Sequence, residues 1–143
     1  MNELNKKLAD LLGVKPRLNR YFERQNCEEK ITASFARKIE EIYPDFHDPE
    51  NFVNVIQILC YEAKFQVYYT NLKGMEYIAE QKFNTSGLDY FFSVNNHTME
   101  DAVISLLVRI LSIDDDEDYG NECFGKDIKN QYIKAAQKID WKY

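Results

Sequence analysis

Apolar positions along the chain fall into two periods. Leu4, Leu8, Leu11 and Leu12 repeat at helical spacing, and Gly13 follows as a terminator, so a first helix is expected over 3–12 with Asn2 as its cap. Lys15-Pro16 then breaks the chain. Arg17 to Gln25 is ambiguous: Arg17, Arg20 and Arg24 would share one face of a helix, but the segment is short. Asn26, followed three residues later by Glu29, gives a helix start. Ile31, Phe35, Ile39 and Ile42 then repeat at helical spacing, so a helix is expected over 27–42, stopped by Tyr43-Pro44.

Asp48-Pro49-Glu50 combines a capping acid, proline at the first helical position and a second acid at the positive helix end. It predicts a helix over 49–63, with Phe52, Ile56, Leu59, Cys60 and Ala63 inward. The period then changes from 3.6 to 2. Phe65, Val67 and Tyr69 alternate with polar residues, as do Met75, Tyr77 and Ala79, and then Leu88, Tyr90, Phe92 and Val94. Turns at Asn71–Gly74 and Asn84–Gly87 separate them, which predicts an antiparallel meander. Thr98 starts another helix, with Asp101 at its third position and Val103, Leu106, Leu107, Ile110 and Leu111 inward. A last helix is expected over 126–139.

The expected fold class is therefore α+β. Its order is ααα-βββ-αα, a three-stranded antiparallel β-meander packed between helices, in one domain over 1–143. One sheet face collects the alternating apolar residues. The other offers Tyr68, Ile78 and Phe91 among Gln66, Glu76, Glu80, Lys82, Asp89 and Ser93. A face that mixed is either covered by a helix, giving an α-β-α sandwich, or it binds something. Coverage by a terminal helix is the first expectation.

Residues 40–112 resemble the phage ABA-sandwich domain family of small phage proteins. The resemblance is carried by Tyr43-Pro44-Asp45-Phe46 before a helix, by the short meander, and by Thr98-Met99-Glu100-Asp101-Ala102 opening an amphipathic helix. It implies a viral origin, α-β-α layering and an accessory role such as counteracting host defence. It carries no site residue over, because the family has no settled activity.

Charge divides the chain. Residues 1–38 hold nine Lys/Arg against five Asp/Glu, 39–125 hold four against seventeen, and 126–143 hold five against two. Basic ends flank an acidic middle within a net charge of -6. Nucleic acid is disfavoured as a partner, since phosphate binding needs a clustered basic face. A basic protein surface suits the acidic middle.

Candidate chemistry is sparse. The two histidines, His47 and His97, both sit in turns, where sequence neighbours do not generally converge on one point. Cys27, Cys60 and Cys123 are far apart without a paired spacing, and Cys60 is expected to be a buried small hydrophobe. Asp114, Asp116 and Asp118 alternate like a calcium loop, but Gly120 is one place late and Gly125 stands where a bidentate acid is required. A solvated loop is expected over Asp114, Asp115, Asp116, Glu117 and Asp118. No phosphate-binding glycine loop, nucleophile elbow or zinc-helix motif is present.

No catalytic residue, metal ligand or cofactor is therefore assigned. The expected function is a non-enzymatic accessory protein that binds a host bacterial protein in the host cytoplasm, in the manner of an inhibitor of a defence system. Its interaction residues would be Tyr68, Ile78 and Phe91 with the acidic run 114–118. The alternative is a small-ligand protein that sequesters a nucleotide-like signal through Arg17, Arg20, Arg24 and Tyr21. No apolar run is long enough to cross a membrane, so a membrane is not an expected partner, whereas homo-oligomerisation is compatible with either reading.

Overall fold

The computed structural model describes residues 3–25, 34–60, 64–71, 74–85, 88–113 and 124–143, of which 23–25, 34–36, 84–85, 88–90 and 124–126 are described by backbone. The element order is α1 (Glu3–Leu12), β1 (Arg17–Gln25), β2 (Ser34–Ile42), α2 (Pro49–Leu59), β3 (Lys64–Thr70), β4 (Glu76–Thr85), β5 (Leu88–Asn96), α3 (Met99–Leu111) and α4 (Phe124–Gln137). The α+β class holds, with two antiparallel sheets of two and three strands among the described residues.

The expected order does not hold. The helix expected over 27–42 is replaced from Ser34 onward by β2, and the ambiguous Arg17–Gln25 is β1, its antiparallel partner. The reason lies in number parity. Positions 31, 35 and 39 are four apart, and four is a multiple of two as well as about one helical turn. The same spacing therefore fits a strand face, and β-branched and aromatic residues favour the strand. Ile42 breaks the parity and lies on the other face, half-buried. The proposed cap at Asn26–Glu29 lies outside the described residues.

The remaining boundaries follow the local chemistry. The Asp48 side chain accepts from Glu50 N at 3.1 Å and Pro49 opens α2. Thr98 Oγ1 accepts from Asp101 N at 3.1 Å at the start of α3. Gly13 ends α1 at φ +71°, a left-handed conformation that costs glycine little. Helix α2 stops at Leu59, so Cys60 is its cap and is exposed rather than buried.

The core is one-sided. Helix α3 crosses all three strands of the β3–β4–β5 sheet, and α1 and α2 pack against α3. Eight of its residues are buried, among them Leu106, Leu107 and Ile110 at full burial. A helix apolar on nearly every side belongs in the middle of the structure. The inner sheet face meets it with Ala79, Phe83 and Phe92, the last two in edge-to-face contact at 5.9 Å. Met75 and Tyr69, expected on that face, are exposed at its end.

Gln81, also on the inner face, is fully buried yet paired. Its amide donates to Leu59 O, and Tyr132 Oη donates to its Oε1 at 2.8 Å. This polar joint ties β4 to α2 and α4. The segment after α4 is fixed as well: Trp141 meets Phe46 edge-on at 5.1 Å, and buried Asn51 both donates to Lys142 O and accepts from Lys142 N. No helix among the described residues is long and apolar enough to cross a membrane.

Candidate functional site

Among the described residues, a pocket of about 290 Å³ between α2 and α4 is lined by residues including Gln57, Gln131, Lys134 and Lys138, and two other places hold residues singled out by the sequence. The first is the outer face of the β3–β4–β5 sheet. Strand alternation and register put Gln66 and Tyr68 of β3, Glu76, Ile78, Glu80 and Lys82 of β4, and Phe91, Ser93 and Asn95 of β5 on it. Tyr68 is 42% and Phe91 59% exposed, and no described helix lies over them. The third layer of the expected sandwich is not seen among the described residues.

The acids on this face are held in place. Glu80 accepts from Gln66 Nε2 at 2.6 Å and from Tyr68 Oη at 2.7 Å. Glu76 accepts from Asn95 Nδ2 at 2.6 Å. The hydrogen bond to Glu80, with its negative charge, raises the Tyr68 pKa above the usual phenol range, so the phenol stays protonated as the donor. Two shallow hollows flank this acidic strip. One of about 160 Å³ is lined by Lys64, Phe65, Gln66, Glu80, Lys82 and Phe91, the other of about 170 Å³ by residues including Glu76, Ile78 and Asn95.

The second place is a cleft of about 550 Å³ between the root of the β1–β2 hairpin and α3, lined by Asn5, Glu40, Tyr43, Pro44, Asp45, His47 and Asp101. The Tyr43–His47 turn supplies one wall, and the N-terminal turn of α3 supplies Asp101. His47 Nε2 lies 2.6 Å from Asp101 Oδ1, and its Nδ1 lies 3.2 Å from Asp45 Oδ1. Asp45 Oδ1 also accepts from Asn5 Nδ2 at 2.9 Å and from His47 N at 3.0 Å.

Partial burial pushes the His47 pKa down, but the hydrogen bonds and charges of Asp101 and Asp45 outweigh it, and the net direction is up. For Asp45 burial pushes the pKa up, while the Asn5 amide and the His47 donors outweigh it and the net direction is down. Both ring nitrogens face carboxylates, so the favoured form is imidazolium donating twice. An imidazolium held that way has no lone pair free to take a proton from a substrate. The group acts as a clasp between the turn and α3.

Turn neighbours do not generally converge on one point, yet Asp45 meets His47 here, and the fold brings in Asp101 from 54 residues away. The acid in the first turn of α3 was legible as helix chemistry, but its partner was not, because no local pattern encodes that contact. His97 is exposed just before α3.

The other proposed residues are scattered. Tyr68, Ile78 and Phe91 share one face, as their alternation implied. Asp114, Asp115, Asp116, Glu117 and Asp118 lie outside the described residues, as do Cys27 and Cys123. Arg17, Arg20 and Arg24 lie on β1, where Arg17 and Arg20 point to opposite faces and the side chain of Arg24 is outside the description. Arg17 stacks over the Tyr143 ring at 4.3 Å, and Tyr21 is exposed on the face opposite Arg20. The basic cluster implied by helical spacing is therefore divided between two faces.

Among the described residues, no group of three or more His, Cys, Asp or Glu is arranged to hold a metal ion. Comparison with protein-family models, with curated proteins and with solved structures finds no match.

Proposed function

We propose that the protein is a non-enzymatic, phage-type accessory protein that docks a host bacterial protein on the outer face of its three-stranded sheet and inhibits it. The observation that carries this reading is the pair of exposed rings, Tyr68 and Phe91, on one face with half-buried Ile78 and beside two carboxylates held by fixed hydrogen bonds. Aromatic anchors next to polar groups already locked in place suit a protein interface, because little side-chain entropy remains to be lost on binding. Glu76 and Glu80 favour basic groups on the partner, and Lys64 and Lys82 at the far end of β3 and β4 favour an acid there. A helix of the partner laid on this face would complete an α-β-α layering. The phage origin, the defence-inhibiting role and the host-cytoplasm location rest on the resemblance of Tyr43–Phe46 and Thr98–Ala102 to the phage family.

The test is capture from a cleared bacterial lysate at low salt, followed by native mass spectrometry. The expected result is a stoichiometric complex with one bacterial protein, lost at high salt and lost with the double substitution Tyr68→Ala/Phe91→Ala. Recovery unaffected by that substitution, or no complex at low salt, refutes the reading. A mass gain of a few hundred daltons would instead favour the small-ligand alternative.

A further inference from the structure

The β1–β2 hairpin pairs nine residues on each strand and, among the described residues, meets the body at its root. One of its faces turns toward the body there: Arg17 stacks on Tyr143, Glu40 lines the His47 cleft and Ile42 is half-buried. The opposite face carries Leu18, Arg20 and Phe22 on β1 and their cross-strand partners Glu41, Ile39 and Arg37 on β2. Its apolar members are wide open, with Leu18 56%, Phe22 70% and Ile39 59% exposed. A two-stranded ribbon with one apolar face in water is marginal by itself. Aliphatic, aromatic and arginine side chains in one stripe are interface composition.

The order of charge along this face says what covers it. From root to tip the rungs whose side chains are described read Leu18 with Glu41, Arg20 with Ile39, and Phe22 with Arg37, and the backbone register continues with Arg24 opposite Phe35. The acid is at the root and the outer base is toward the tip. Such a face is complementary to itself when turned end for end. We infer that two copies of this chain pack these hairpin faces together, root against tip, about a two-fold axis at the Arg20–Ile39 rung.

In that arrangement Glu41 of each copy meets Arg37 of the other, Leu18 meets Phe22, and Ile39 meets its own copy. Root-against-root packing would exchange the strands and set Leu18 on Glu41 and Phe22 on Arg37, an apolar side chain against a charge at both ends. Arg20 meets its own copy across the axis, and its long stem carries the guanidinium to the wet rim. The contact is isologous, so it closes at two copies. A nine-residue ribbon is roughly 30 Å long and about 10 Å wide, which buries on the order of 600 Å² over both copies. That is well below a standard interface, so the dimer is weak, in the micromolar range or above.

Sedimentation velocity on the full chain, from about 5 µM to about 500 µM, tests this. The mass is expected to rise from 16.9 kDa toward twice that value with concentration. Arg37→Glu and Glu41→Arg are each expected to weaken self-association about ten-fold, because each places like charges together twice. An equimolar mixture of the two variants is expected to recover the dimer, because both cross-copy pairs are then opposite in sign. Misfolded variants could not recover on mixing. Arg20→Gln is expected to tighten the dimer, and Phe91→Ala to leave it unchanged, since the outer sheet face is separate. A chain that stays monomeric throughout, a dimer indifferent to the single substitutions, or a mixture that does not recover overturns the inference.

Discussion

The two antiparallel sheets of this protein are built from similar material and live in opposite environments. Both alternate apolar and polar side chains and both are joined in simple register. The β3–β4–β5 sheet has α3 against its inner face, and Phe83 and Phe92 are buried there. The β1–β2 hairpin has no helix along it among the described residues, and Leu18, Phe22 and Ile39 stand in solvent. Alternation therefore tells a strand which of its faces is apolar, and not whether anything lies against that face. What separates the two sheets is the helix that follows β5 at once: Thr98 turns the chain so that α3 folds back over the strands just made. The hairpin is followed by the Tyr43–His47 turn, which leads the chain away into α2.

If this contrast is right, equal truncations will cost unequal amounts. Leu107→Ala, in the fully buried stripe of α3, is expected to cost about 3 kcal/mol by urea unfolding. Ile39→Ala on the hairpin is expected to cost under about 0.5 kcal/mol at concentrations where the chain is monomeric. Comparable losses at the two sites would break the comparison.

Gln81→Leu probes the polar joint behind the three-stranded sheet. It leaves Leu59 O and Tyr132 Oη buried without that partner, and a loss of about 2 kcal/mol is expected. Tyr132→Phe should then cost less in the Gln81→Leu background than in the wild type, because the bond from Tyr132 Oη to Gln81 is already lost.

The clasp where the hairpin meets the body gives a pH signature. The His47 pKa is raised on folding, so its contribution is fully present below the unfolded value of about 6.5 and is lost as pH rises through the higher folded value. Asp45 runs the other way: its folded pKa is lowered, so its contribution is present above its unfolded value and is lost as pH falls through the folded one. The unfolding midpoint of the wild type is expected to decline on the alkaline side of about pH 6.5, and that decline to be missing in His47→Gln. The clasp is partly solvent-screened, and its removal is expected to cost about 1 kcal/mol at pH 6. An identical pH profile for the two proteins would show that the histidine holds nothing.

The smallest effect is expected at the hairpin's other tether. Tyr143→Ala removes the ring under Arg17 and the bond from Tyr143 Oη to Lys15 O, for roughly 0.5 kcal/mol. Amide exchange in β1 should quicken while that in β4 does not change.

Much of the molecule was legible before the fold was known. The starts of α2 and α3 were written in Asp48-Pro49 and Thr98-Met99-Glu100-Asp101, and each cap bond forms between groups two or three residues apart. The three-strand meander was legible because its alternation and its turns agree. Tyr68, Ile78 and Phe91 could be placed on one face for the same reason, since alternation is a property of the strand itself. The hairpin is not legible locally, because residues four apart satisfy both a helix and a strand. Cys60 continues the apolar stripe by spacing, but the helix stops one residue before it.

What local chemistry determined was each segment's own geometry: period, cap, turn and face. What only the tertiary structure decided was which faces met. His47 with Asp101, Gln81 with Leu59 and Tyr132, and Asn51 with Lys142 join residues 54, 22, 51 and 91 positions apart. No periodicity spans such distances. These contacts form because a buried donor or acceptor must find a partner once packing has removed water, and only the packed chain fixes which partner is within reach.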